Sequence, residues 1–296
     1  MITKTKILKD LNGFLTDLQT KRMRYRLLLS YCILCTIPLF SQGWRPVGAR
    51  SAALANTSVC LDDVWAYHNN PGATAGIKQF SVGLYYEARF LAKELQTQGL
   101  AMAIPLKKGV ISVGGQFYGY EQYRHTRAGV GYALSLSEKI SAGVQMNLQQ
   151  LRFGGSYGSS TNATVEAGIL ATISEKWKLG MSVLNIGRQR ISPLEEDRFT
   201  SVVRIGSSYQ PSKKVSILME VEKQVIHPVS FRGALEYFPI ENLVIRFGAQ
   251  SGPTELAFGV GYKKNGFQLD LGSKYHTILG WTPNMGFTYQ PSHAKK

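Results

Sequence analysis

From Gln79 onward the chain alternates apolar and polar residues with a period of two, not 3.6. Residues 126–137 put Thr126, Ala128, Val130, Tyr132, Leu134 and Leu136 on one face. Arg127, Gly129, Gly131, Ala133, Ser135 and Ser137 take the other. Residues 140–149 repeat the pattern, with Ile140, Ala142, Val144, Met146 and Leu148 against Ser141, Gly143, Gln145, Asn147 and Gln149. The same alternation runs through 165–173, 177–183, 215–221, 229–237, 243–249 and 256–262. Such segments predict two-faced strands, because successive side chains of a strand point to opposite sides of the sheet.

Turn signals punctuate the alternation. Short basic or Gly/Pro turns fall at 106–109, 137–139, 174–176, 211–214, 239–242 and 264–266. Asn265-Gly266 is the strongest of them, a pair suited to a type I′ hairpin. Looser links fall between them at 89–95, 119–123, 154–161, 187–198, 224–227, 251–254 and 275–279, and the two sets together delimit about fourteen strands. Short turns at one end and longer links at the other are the signature of an all-β, transmembrane antiparallel β-barrel of the Gram-negative outer membrane. Trp177, Tyr209, Tyr237, Tyr262 and Trp281 near strand ends suit its aromatic girdles, and Phe287 and Tyr289 close the last strand. A soluble β-sandwich would account for the alternation but not for the hairpin rhythm.

The N-terminal part is different. Lys21, Arg22, Arg24 and Arg26 precede an apolar run over 27–40, with Ser41 ahead of Gln42. This is the layout of a secretion signal over residues 1–42, for which Met23 is an alternative start. Cys32 and Cys35 fall in that segment, so the exported chain keeps Cys60 alone and has no internal disulfide. Residues 43–296 hold 27 basic and 17 acidic side chains, a net charge of +10. For an exported chain this suits an anionic lipid surface, and not nucleic acid.

If the apolar face meets lipid, the other face lines a lumen. Arg204, Glu220, Arg232, Glu236 and Arg246 are candidate wall residues there, with Arg127, Glu166, Lys178, Glu222 and Asp270. Arg204 beside Glu220 and Glu236 beside Arg246 predict cross-strand pairs, of modest worth if water fills the lumen. A barrel of this width is not closed by its own side chains. Residues 43–78 lack lipid-facing alternation and are rich in Ala, Gly, Asn and aromatics, so they are expected to fold inside as a hatch. Its candidate gating residues are Asp62, Asp63, Trp65, Asn69, Asn70, Pro71 and Gly72. The two Asn would bond backbone and wall, Pro71-Gly72 would turn the chain, and Trp65 and Tyr67 would fill volume. Residues 79–290 would form the barrel and 291–296 a tail.

The stretch GARSAALANTSVCLDDVWAYHNNPGATAG over residues 48–76 resembles the N-terminal signature of the FadL-type outer-membrane transporter superfamily, in particular its PorV/PorQ-like branch. Gly48, Ala49, Arg50, Asp62, Asp63, Ala66, Asn70 and Pro71 carry the resemblance, and the usual Ala-Gly after the proline is inverted to Gly72-Ala73. It implies a fourteen-stranded barrel with an N-terminal hatch. It also implies one of two roles: passage of hydrophobic or amphipathic small molecules, or service as a structural or docking accessory of type IX protein secretion.

No enzyme chemistry stands out. Gly154-Gly155-Ser156-Tyr157-Gly158 lacks the Lys-Ser/Thr and helix of a phosphate loop. The five His residues (68, 125, 227, 276 and 293) have no metal-ligand spacing. Glu195-Glu196-Asp197 lies near Arg188, Arg190 and Arg198 and reads as a solvated charged loop. No cofactor is expected. The expected partners are outer-membrane lipid and lipopolysaccharide, with hydrophobic small molecules or secretion-system proteins.

Overall fold

A computed structural model describes residues 46–155, 158–191, 198–225 and 227–291. The signal expected over 1–42, the acidic run Glu195-Glu196-Asp197 and His293 lie outside the described residues.

Fourteen antiparallel strands follow one another round a closed barrel. They are β1 (Ser81–Ala88), β2 (Gln96–Pro105), β3 (Val110–Tyr120), β4 (Tyr123–Ser135), β5 (Ile140–Phe153), β6 (Ser159–Ser174) and β7 (Trp177–Leu184). The second half comprises β8 (Val202–Ser212), β9 (Val215–Gln224), β10 (Ser230–Ile240), β11 (Leu243–Gln250), β12 (Glu255–Lys264), β13 (Phe267–His276) and β14 (Gly280–Tyr289). The first and last strands pair from Val82↔Tyr289 to Glu87↔Asn284, so the sheet has no free edge. In lipid this closure is obligatory, because an unpaired strand edge has no water to satisfy it.

The two faces separate as the alternation requires. Val130, Val144, Met146, Met219 and Phe231 point outward and are each more than half exposed. Their inward neighbours Arg127, Gln145, Asn147, Glu220 and Arg232 are buried. Trp177 stands opposite Tyr209 at the short-turn end, where Tyr237 and Tyr262 also lie outward. Trp281 occupies the other rim, against Tyr275.

Two expectations about the links need correction. The 119–123 link is a two-residue hairpin, since β3 ends at Tyr120 and β4 begins at Tyr123. The link between β7 and β8 spans 185–201 and is longer than the pattern suggested. Its Ile191 and Phe199 are buried against Leu151. These two anchors hold the described ends of the link against β5 and take it out of the period-two pattern early.

Candidate functional site: the plug and its seat

Residues 46–78 lie against the inner wall and include short helical turns, a feature the strand pattern did not anticipate. These are α1 (Ala49–Ala53), α2 (Ala66–Asn69) and a 3-10 helix over Pro71–Gly76. Each is too short to be stable alone. They persist because the wall satisfies them.

Asn70 organises the turn. Its amide nitrogen donates to the carbonyls of Val59 (2.7 Å) and Ile169 (3.1 Å), and its Oδ1 accepts from the Gly72 N–H. One side chain thus joins two parts of the plug to strand β6 and caps the following turn. Pro71 sits at the start of that turn, where its missing N–H is no loss. The Asn69 side chain bonds within the plug, donating to Val47 O, Ser51 Oγ and Trp65 O. Asp63 Oδ1 accepts from the Trp65 N–H at 2.9 Å. The Trp65 indole packs edge-on against Tyr85 and donates to Thr288 Oγ1. Tyr67 reaches Gly114 O and Asn147 Oδ1.

The seat for this turn is a feature sequence reasoning missed. Gly143 and Gly168 face each other across β5 and β6. A Cβ on Gly168 would stand 1.9 Å from Asn70 Oδ1, and one on Gly143 would stand 2.5 Å from Pro71 O. Gly180 and Gly206 form a second such pair on β7 and β8, under Val59. Only glycine lets the plug backbone approach the wall so closely. Paired inward-facing glycines on neighbouring strands were the available signal.

Charge does the rest. Arg204 and Arg232 converge on Glu220 and Glu222. Arg204 also donates to Asn69 O (3.1 Å), Asn56 O (2.9 Å) and Ser58 Oγ (2.9 Å). Glu220 in turn accepts from the N–H groups of Ser58 and Val59. A second cluster runs Asp63–Arg50–Glu236–Arg246–Asp270, with contacts of 3.1, 2.6, 2.8 and 2.6 Å. Lys178 reaches Asp62 at 2.6 Å. Wall and plug therefore share both networks.

These pairs are not bathed in water. Arg204 is 0% exposed, and Glu220, Glu222, Glu236, Arg246 and Asp270 are each at 1–2%. The modest worth expected of the wall pairs assumed a wet lumen. The plug excludes that water, so removing one partner leaves an uncompensated buried charge.

Burial sets the state of the plug's own groups. It pushes the Tyr67 phenol up to about 12 and the His68 imidazole down to about 3, so both stay neutral. It pushes the Cys60 thiol up to about 12, which leaves it inert at neutral pH. Burial also holds the Asp63 carboxyl above its ordinary value, against the pull of Arg50. At Asp62 burial acts in the same direction, but the Lys178 ammonium outweighs it and brings the carboxyl below its ordinary value. Among the described residues no group of three or more His, Cys, Asp or Glu is placed to hold a metal ion.

No family model matches the chain, and no curated protein does. Solved structures do match. The CymD monoaromatic hydrocarbon channel superposes with a TM-score of 0.64 at 11% identity, covering 85% of this chain and 99% of its own. The Ralstonia pickettii toluene transporter TbuX gives 0.59 at 13% identity, over 84% and 98% of the two chains. A Pseudomonas aeruginosa FadL homologue gives 0.55 at 9% identity, over 82% and 97%. At such identities the shared property is the fold, and this chain has the closed fourteen-stranded fold of FadL-type outer-membrane transporters.

Proposed function

We propose that the protein is an outer-membrane channel for hydrophobic or amphipathic small molecules, with residues 43–78 as its hatch. The observation that carries this reading is a barrel filled by a segment that no covalent cross-link pins to the wall. Its one described cysteine, Cys60, is a free thiol. The contacts that seat the segment are hydrogen bonds, ion pairs and packing, and each is reversible. The fold is shared with hydrocarbon and toluene channels, which supports a small apolar molecule as the cargo. The buried charges of the lumen offer no greasy path while the hatch is seated. Passage therefore requires the segment to shift, and Asp62, Asp63, Asn70 and the Arg204 and Glu236 clusters are the groups it must release.

Deleting residues 44–75 tests this. The wall begins near β1 and pairs with itself, so an assembled barrel is expected, with higher planar-bilayer conductance and faster uptake of toluene-like hydrocarbons and bulky antibiotics. Asn70→Ala with Pro71→Ala should give an intermediate, flickering leak. An assembled truncated barrel that conducts no better than the full chain would overturn the hatch. The second reading, a docking accessory of type IX secretion, rests on the PorV/PorQ-like pattern over residues 48–76 and on the dry lumen. It would then take precedence.

A further inference from the structure

A cavity of about 570 Å³ opens beneath the turn between β2 and β3, at the short-turn end of the barrel. Its head is basic: Lys78, Lys107 and Lys108 line it, and no carboxylate does. Among the described residues the lysines in ion pairs are Lys178 and Lys274, and neither lines the cavity. All three lining lysines are exposed. Below them the cavity straddles the rim. Ala75, Ile77 and Val110 form its buried inner side, whereas Tyr132 and Leu134 belong to the outward, lipid-facing row of β4. Leu106, 48% exposed, stands at the lip.

Lysine recurs along this rim. Four of the six short connections carry it, at 106–109, 136–139, 175–176 and 213–214, with Glu138 and Glu175 beside Lys139 and Lys176. The other two hold Glu241-Asn242 and Asn265-Gly266, the last following Lys263 and Lys264 of β12. Short turns of such barrels face the periplasm, so this rim meets the phospholipid leaflet. Clustered lysines beside a membrane face attract anionic headgroups.

We propose that this cavity is a binding site for one anionic phospholipid of the inner leaflet. Its phosphate sits among Lys78, Lys107 and Lys108, and one acyl chain lies over Tyr132 and Leu134. The position of the apolar wall chooses the occupant. A membrane lipid can lay its chain on outward-facing residues without leaving the bilayer, whereas a water-borne anion has no use for them. Because Lys78 ends the plug and Lys107 and Lys108 belong to the wall, the same headgroup ties the two together from below.

Native mass spectrometry of the full chain in detergent, with phosphatidylglycerol or with phosphatidylcholine of the same chains, tests the site. One retained phosphatidylglycerol per barrel is expected, preferred over phosphatidylcholine by about tenfold or more. Lys78→Gln with Lys107→Gln and Lys108→Gln should abolish that preference. Lys139→Gln with Lys176→Gln and Lys213→Gln, which removes equal charge elsewhere on the rim, should keep it. Equal retention of the two lipids, or equal loss in both triple variants, would overturn the site in favour of diffuse rim charge. Wild-type protein gives an independent check with a phosphatidylglycerol photo-crosslinkable on its acyl chain. Labelling is expected at 104–109 and 132–135, and an even distribution over all the short turns would refute the proposal.

Discussion

Strands β5 and β6 and the segment 66–76 that lies on them touch over several residues, yet they are held by different means. The strands exchange backbone hydrogen bonds along the register from Ile140↔Ala171 to Arg152↔Ser159. The segment is fixed by a handful of side chains: Asn70 to Val59 and Ile169, Tyr67 to Asn147, and Ser141 Oγ to Gly72 O. A ladder spreads its stability over many equivalent bonds, so no single side chain is indispensable. The plug concentrates its attachment in a few buried polar groups. If it is the hatch proposed above, release asks only that these few groups let go, and the ladder of the wall is left unbroken.

The strongest way to break this contrast is at Arg204, which belongs to both parts. Arg204→Leu leaves Glu220 and Glu222 with Arg232 and takes a donor away from Asn56 O, Ser58 Oγ and Asn69 O. The cost should be about 3–5 kcal/mol, the range for breaking a buried ion pair. Glu236→Leu should cost a similar amount, since it leaves Arg50 with Asp63 and Arg246 with Asp270 and cuts the link between them. In both variants the assembled barrel should keep its strand content by circular dichroism while its conductance rises. Unchanged conductance would mean that the charge clusters brace the wall only.

Phe247→Arg attacks the wall alone. Phe247 stands outward between Leu235 and Phe258, midway along β11, and an Arg there meets lipid. Near mid-bilayer this should cost about 2–4 kcal/mol. The unfolding midpoint in urea should fall, yet barrels that do assemble should conduct no more than wild type. Leak without plug damage would erase the distinction between the two parts.

Gly168→Ala tests the seat. The new methyl would crowd Asn70 Oδ1, and the plug must move to accommodate it. Overpacking of this kind costs about 1–3 kcal/mol. The loss should fall on the plug, seen as brief openings in single-channel records with an unchanged wall midpoint.

The wall was far more legible in the sequence than the plug. A period of two fixes which side chains share a face, so the inward placing of Arg127, Glu236 and Arg246 follows from the pattern itself, and the turn residues set the strand count. The plug has no period to read. Its helical turns at 49–53 and 66–69 are dictated by the cavity around them, and α1 begins without a side-chain cap. Asn70 and Pro71 stood out by composition, but their partners Gly143, Gly168 and Ile169 lie between 72 and 99 residues away in the chain (143 − 71 and 169 − 70), and only the closed register brings them together. The same applies to Arg50, which reaches Glu236 across the barrel. The depth of the charge clusters was misjudged for that reason: their dryness depends on the plug.

The smallest effect should come from Asp62, the attachment nearest to water. Its side chain is 43% exposed and that of Lys178 is 33% exposed, so the pair is screened. Asp62→Asn should cost no more than about 1 kcal/mol, the upper range for an exposed ion pair. The pH dependence follows from the sign of the shift. The folded-state carboxyl is held below its ordinary value of 3.8, so this contribution is fully present above that value and is lost as pH falls beneath it. Asp63 behaves oppositely: burial raises its carboxyl, so proton uptake there favours the seated plug over a released one. Acidification from neutrality should therefore not loosen the Asp63 side, and the Lys178 side should loosen only beneath the ordinary carboxylate value. Conductance recorded over descending pH should rise in one late step in wild type, and Asp62→Asn should remove it. A rise that Asp62→Asn leaves untouched would show that the Lys178 contact does not hold the plug at all.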